Sequence, residues 1–340
     1  MQHRTATSLV VFSLIGLIFS PHQDASAQHN HNRDAPRSRD FRLDYGATLN
    51  QLPAGARVRV WLPIPPSNDH QTIQALDPQL PVAGKQFTEP IYGNQILYFE
   101  TQGPPSGRLV FNTSYLVQRH EVCGMKSQEN KIQLTDHQRS LFLSANSKVP
   151  LQGRQLDLLA DIPFSSDPLV LARTLYERVD EHVRYDKSQP GYGNGDVLWV
   201  CDSRFGNCTD FHSLFISWAR SKGLPSRFEI GFAIASERGA GSIDGYHCWA
   251  LFYHDQKGWI PVDISEADKR PQKKEYFFGN LTEDRVTFTV GRDIQLVPKP
   301  NGGPLNYFVY PYVEVDGKPW PGQQMSPAFS YVDIQGKPIP

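Results

Sequence analysis

The chain has 340 residues, of which 39% are hydrophobic, 20% charged and 11% aromatic; this suits about two folded domains and excludes a disordered chain or a lone small module. With 34 Lys plus Arg against 35 Asp plus Glu, the formal net charge is -1, so no basic footprint for nucleic acid or an anionic membrane is present. The 26 Gly and 27 Pro call for many turns and short strands.

At the N-terminus His3 and Arg4 precede an apolar run from Leu9 to Phe19, and Ala25-Ser26-Ala27 offers the small residues a signal peptidase accepts. The run is eleven residues, short of the ~20 a bilayer-crossing helix needs, and no comparable run follows, so no membrane span is predicted. Residues 1–27 read as a signal peptide, cleaved near Ala27 to leave a periplasmic or secreted protein. Residues 28–39 (QHNHNRDAPRSR) read as a flexible leader, in which His29 and His31 alone make no metal site.

Short strands broken by turns follow: ARVRVWLPIP, NQILYFET and RLVFNTSYLVQ, with the period of two in Val58, Val60 and Leu62. Residues 40–122 therefore read as a small antiparallel β-domain, with a positioning role weighed above ligand binding, and 123–165 as a connector. Asp167 and Pro168 supply an N-cap and first-turn proline for a helix over about 168–184, with Leu171, Leu175, Val179 and Val183 on its inner face. After the glycine-rich PGYGNG (190–195), RFGNC leads into a second helix whose apolar face is Phe211, Leu214, Phe215, Trp218 and Ala219, ended by Gly223 and Pro225. Strand-like SRFEIGFAIA, GYHCWALFY and GWIPVDIS come next, the last two joined by a turn at about 254–258. RVTFTV, LNYFVYPYVEV and FSYVDI follow, and the strands of 301–340 are expected to pack on the core.

Four cysteines survive the predicted processing: Cys123, Cys201, Cys208 and Cys248. In an oxidising compartment a catalytic thiol leaves three others and at most one intramolecular bridge, whose pairing among Cys123, Cys201 and Cys248 is open. Cys208 belongs to the first turn of the second helix, where unpaired N–H groups and the helix dipole favour a thiolate. Such a position beside an imidazole lowers a thiol pKa from about 8.5 to roughly 3.5–7.5. Asp210 opposes this by its charge, but is expected mainly to stabilise the first turn.

Three histidines follow as candidate bases: His212, His247 and His254. His212 shares the helix with Cys208 and has no evident group to orient it; His254 sits at the turn. His247 and Asp263 are sixteen residues apart, so an even-sum hairpin register puts them on one face, and Asp263 can fix the imidazole tautomer. Glu266 has the other parity and lies past the expected strand end. By alternation, Cys248 is expected to point away from His247 and not to compete as nucleophile.

GNCTDFHSLF, HCW and PVDIS, in that order, resemble the transglutaminase-like superfamily over roughly residues 165–300. The resemblance implies an α+β fold, a papain-like core over 166–300 preceded by the antiparallel β-domain, with Cys208 as nucleophile, His247 as general acid/base and Asp263 as its orienter. Leu251 stands where members often carry an acidic residue, which bears on substrate choice. Of the upstream aromatics, Trp199 and Tyr185 are candidates to lie near the oxyanion, and the Cys208 N–H is the expected donor. A zinc reading of Cys201, Cys208, His212 and Cys248 fails on spacing, since six residues separate the first two instead of two to four. No metal and no cofactor are assigned. The expected function is an exported thiol enzyme acting on amide bonds of a peptide or protein, by hydrolysis or by glutamine acyl transfer; the alternative is a non-catalytic binding or scaffold protein with the same fold.

Overall fold

A computed structural model describes residues 35–126 and 133–334. The predicted signal peptide and most of the leader lie outside the described residues. In chain order the first strands are β1 (Ser38–Leu49), β2 (Arg57–Ile64), β3 (Gln71–Ala75), β4 (Lys85–Thr88), β5 (Gln95–Gln102), β6 (Leu109–His120) and β7 (Val122–Cys123). The helical part holds α1 (Asp136–Leu143), α2 (Pro168–His182), β8 (Arg184–Tyr185), α3 (Val197–Ser203), β9 (Phe205–Gly206) and α4 (Cys208–Ser221). Then come β10 (Ser226–Ala233), β11 (Ala240–Ser242), β12 (Tyr246–His254), β13 (Gly258–Val262), α5 (Ile264–Lys269), α6 (Lys274–Phe277), β14 (Asn280–Leu281) and β15 (Arg285–Val290). The last strands are β16 (Tyr312–Val315), β17 (Lys318–Pro319) and β18 (Met325–Asp333). The fold is mixed α and β with antiparallel main sheets, as expected.

The chain from Pro36 onward forms one unit. The segments read as 40–122 and 301–340 are woven together: β1 pairs with β6 on one side and β18 on the other, while β2 pairs with β5 and β16. An aromatic cluster links this layer to the sheet that carries the histidine motif. Tyr45 stacks on Phe329 at 4.8 Å, and Phe232 meets Phe288 edge-on at 5.2 Å. Each such ring, fully buried, contributes roughly 1.5–3 kcal/mol by removal of apolar surface from water.

The histidine-motif sheet has the order β13-β12-β10-β15. The α4 helix packs on it and is covered from the other side by α2 and α3, so every residue from Cys208 to Arg220 is buried. That is more than a one-sided apolar stripe predicts. The polar residues of the other face are buried because they bond across: Asp210 to the glycine-rich loop, Ser213 to Arg292 and Ser217 to the Pro150 carbonyl. The α2 helix starts where predicted, with Asp167 Oδ1 accepting the Leu169 N–H at 2.8 Å, and ends at His182.

Candidate active site

The N-terminus of α4 is built by reciprocal capping. Asn207 Oδ1 accepts the Thr209 N–H at 2.9 Å, and Asp210 Oδ2 accepts the Asn207 N–H at 2.9 Å. Asp210 also takes the Gly193 N–H at 2.7 Å and the Gly195 N–H at 2.9 Å, fastening the glycine-rich loop to the same turn. Burial raises the Asp210 pKa to about 6 against these three backbone donors. Gly195 has φ +54°, and a Cβ there would run into Ser213 Oγ and Arg292, so only glycine fits. Cys208 is the first residue of the helix. Among the described residues its N–H has no acceptor, while those of its neighbours are taken by the caps.

The sequence-predicted trio is brought together. His247 Nε2 donates to Asp263 Oδ2 at 2.7 Å, and the His247 ring also hydrogen-bonds the Cys208 side chain. Cys208 is 2% exposed, His247 6%, and Asp263 fully buried. The hairpin pairs Ala250 with Val262, Leu251 with Pro261 and His254 with Gly258, an even-sum register. One detail of the expectation is corrected: β13 ends at Val262, and Asp263 is not a strand residue but the N-cap of α5. Its Oδ1 accepts the Glu266 N–H and the Ser265 hydroxyl, both at 3.1 Å. One carboxylate thus caps a helix with one oxygen and orients an imidazole with the other. Glu266 turns instead to Lys269 and Arg270, and His254 lies at the hairpin tip.

Three neighbours escaped the sequence reading. Arg285, opening β15, puts Nη1 2.6 Å from Asp263 Oδ2, an ion pair whose N–H is not aimed as a hydrogen bond. Its guanidinium lies over the Trp249 ring at 5.4 Å. The one sequence cue was an arginine opening an otherwise apolar and threonine-rich strand, RVTFTV. His212 does have an orienting group: its Nε2 accepts the Ile264 N–H at 3.0 Å, and burial, only partly offset by Asp263, lowers its pKa to about 4, so it is neutral. Cys248 keeps the alternation of β12, packing with Ala250 and Phe252 in the main core while Trp249 and Leu251 belong to a separate cluster, yet it still reaches the Cys208 side chain. Its sulfur hydrogen-bonds the Cys208 side chain and lies 3.7 Å from both Thr209 Oγ1 and His212 Nδ1. The start of β12 stays paired with β10 through Tyr246, and there His247 and Cys248, neighbours in the chain, both reach the α4 terminus.

The electrostatics are those of an ion pair. Burial disfavours the Cys208 thiolate, but hydrogen bonds from Cys248 and His247 and the His247 charge outweigh it, holding the thiol well below its ordinary range. Burial likewise disfavours the His247 imidazolium, yet Asp263 and then Cys208 raise its pKa to about 9. Asp263, despite burial, is held ionised by the charges of His247 and Arg285. The opposite environment surrounds Cys248, whose burial and thiolate neighbour push its pKa well up.

Of the two candidate aromatics, Trp199 packs against Gly191 and Phe205, and Tyr185 lies near enough for the Cys208 charge to act on its phenol after burial has raised it. A third, Tyr246, bonds both Asn207 Nδ2 and Thr209 Oγ1 at 2.9 Å. None of the four cysteines is bridged, and among the described residues no group of three or more His, Cys, Asp or Glu is arranged to hold a metal ion. No described helix is long and apolar enough to cross a membrane.

Residues 159–264 match the family model of the transglutaminase-like superfamily, a stretch that takes in Cys208, His247 and Asp263. In fold the chain is similar to the crystal structure of a candidate cysteine protease from Cytophaga hutchinsonii, with a TM-score of 0.55 at 14% identity over 89% of this chain and 93% of that one. The fold so defined is transglutaminase-like over the matched residues. Among curated proteins an uncharacterised protein of Haemophilus influenzae is 33% identical over 186 residues, 45% of this chain and 50% of that protein, so the chain spans about half the length of the relative it matches. The periplasmic domain of TgpA from Pseudomonas aeruginosa aligns over 72% of this chain and 94% of that one at 17% identity, with a TM-score of 0.34.

Proposed function

We propose that this chain is an exported thiol enzyme that opens amide bonds of a peptide or protein through an acyl-enzyme on Cys208. The observation that carries the reading is the single imidazole shared by a carboxylate at 2.7 Å and by the Cys208 side chain. The thiolate attacks the amide carbon, the developing oxyanion takes the free Cys208 N–H, and the His247 imidazolium hands its Nδ1 proton to the departing amine. Water or a second amine then attacks the thioester, His247 takes its proton, and Cys208 leaves as thiolate. Asp263 keeps Nε2 protonated throughout and offsets the imidazolium charge. We favour hydrolysis because it needs no second substrate, in keeping with the Cytophaga relative's description as a candidate protease; glutamine acyl transfer uses the same intermediate. Export rests on the N-terminal sequence, and the positioning role of residues 40–122 on their union with the core.

A scaffold reading is favoured by one observation, the near-complete burial of the Cys208 sulfur. One experiment decides: intact mass after iodoacetamide, and after glutamine-containing peptides with and without a tagged amine, on the native protein and on Cys208→Ala. A Cys208-dependent acyl adduct or turned-over peptide supports the enzyme. Selective inertness of Cys208 with no turnover of any peptide supports the scaffold.

A further inference from the structure

Alternate residues of β12 share one face: His247, Trp249 and Leu251. A cavity of about 290 Å³ opens at the Leu251 end, between that strand, β10, β6 and the loop before β3. Cys208, His247 and Asp263 do not line it. Two arginines do; Arg285 too has buried guanidinium nitrogens without a hydrogen bond, but it lies against the Asp263 carboxylate, whereas these two have one buried carboxylate between them among the described residues.

Arg119 is 2% exposed. Its guanidinium makes one long hydrogen bond among the described residues, from Nη1 to Gln71 Oε1 at 3.3 Å, and its buried Nε has no acceptor. Arg227, fixed over the Trp259 ring at 4.4 Å, pairs with Glu229 Oε1 at 2.6 Å, but among the described residues its own buried Nε also has no acceptor. The Thr287 hydroxyl on the cavity wall is a third buried group without a partner among the described residues. Among the described residues Glu229 is the one buried carboxylate on the cavity wall, and its second oxygen is committed to the Trp249 indole N–H at 2.9 Å. Asp69, at the rim, is exposed and bonds to neither arginine. His70 at the mouth adds no further positive charge, since burial and the Arg119 charge lower its pKa and favour the neutral imidazole.

A buried cation without a hydrogen-bonded anion is costly, and guanidinium N–H groups in a fixed plane match carboxylate oxygens. We propose that this cavity binds the carboxylate of a small ligand between Arg119 and Arg227, with the Thr287 hydroxyl as an added donor. At its size it takes a group on the scale of one or two amino acids. The carboxylate is supplied either by a free small acid or by the C-terminus of a peptide.

The test is calorimetric titration of the full chain with N-acetylglycine, with N-acetylglycinamide, and with a tripeptide as free acid and as amide. Saturable binding of the acids and none of the amides is expected. A free-acid tripeptide binding more tightly than N-acetylglycine identifies the peptide terminus as the source, and equal affinities identify the small acid. Arg119→Met should weaken binding by at least about tenfold, as loss of a charge-assisted pair requires. In the same variant the ligand-free melting temperature should hold or rise, because a buried cation without a counter-ion has been removed. Acids that bind no better than amides, or an Arg119→Met protein that melts far lower without ligand, overturn the proposal. Cys208→Ala should bind the acids unchanged, so failure of the thiol-enzyme reading leaves this one standing.

Discussion

Two clusters of buried charge sit at opposite ends of one face of β12, and they are balanced differently. At the His247 end each charge meets its opposite: Cys208 with His247, His247 with Asp263, Asp263 with Arg285. At the Leu251 end the Glu229 carboxylate pairs with Arg227 and not with Arg119, and three polar atoms on the cavity wall have no partner among the described residues. Burial alone therefore does not mark a functional group. A closed set of charges fixes the protonation states that chemistry uses, whereas an open set of donors fits the capture of something from outside.

The closed set can be broken one member at a time. Replacing the nucleophile, Cys208→Ala, should lower turnover at least about a thousandfold while costing about 1 kcal/mol or less of stability, read by peptide hydrolysis beside urea denaturation. Asp263→Asn should cut kcat/KM by about a hundredfold or more, because the amide neither balances the imidazolium nor selects its tautomer. It should also move the pH profile. Activity needs thiolate and imidazolium together, so the alkaline limb lies near the His247 pKa of about 9; without Asp263, which raises that value, the limb shifts to lower pH. An unshifted limb would disconnect Asp263 from His247.

Arg285→Met tests whether the set extends beyond the trio. Removing one member of a buried pair should cost about 3 kcal/mol in urea denaturation, with Arg285→Lys losing less. Equal stability in all three proteins would mean that His247 alone compensates Asp263. Asp210→Asn should cost about 1–3 kcal/mol, since an amide cannot accept all three backbone N–H groups, and the 190–195 loop should become more sensitive to protease. Smallest of all, Glu266→Gln should change kcat/KM by less than about threefold, because this side chain answers Lys269 and Arg270 and not the imidazole.

What the sequence disclosed was local or periodic. Gly206-Asn207 before an apolar helical repeat put Cys208 at a helix start, and parity along a hairpin put His247 beside Asp263. Parity could not show that β13 stops one residue short of Asp263, because the end of a strand is set by the next element of the chain, here the capped α5. It put Cys248 on the face away from His247 but could not show that its sulfur also reaches the Cys208 side chain, which depends on α4 packing across β12. Arg285 was illegible for another reason: its pairing with Asp263 depends on β15 lying beside β10, a long-range contact without local signature. The union of the N-terminal and C-terminal strands in two shared sheets was hidden in the same way.

That union has a consequence for the chain during its synthesis. The strand β1 is made among the first and waits for β18, so one of its edges stays unpaired while nearly everything between them emerges from the ribosome. Closure of so distant a pair is slow, and a product stalled before Met325 carries an open edge together with Tyr45 and Phe232 lacking the Phe329 ring that packs against them. The sheet behind His247 is therefore braced only once Phe329 has joined it, so the surroundings of Cys208 are completed after the strands and helices that come before β18 in the chain.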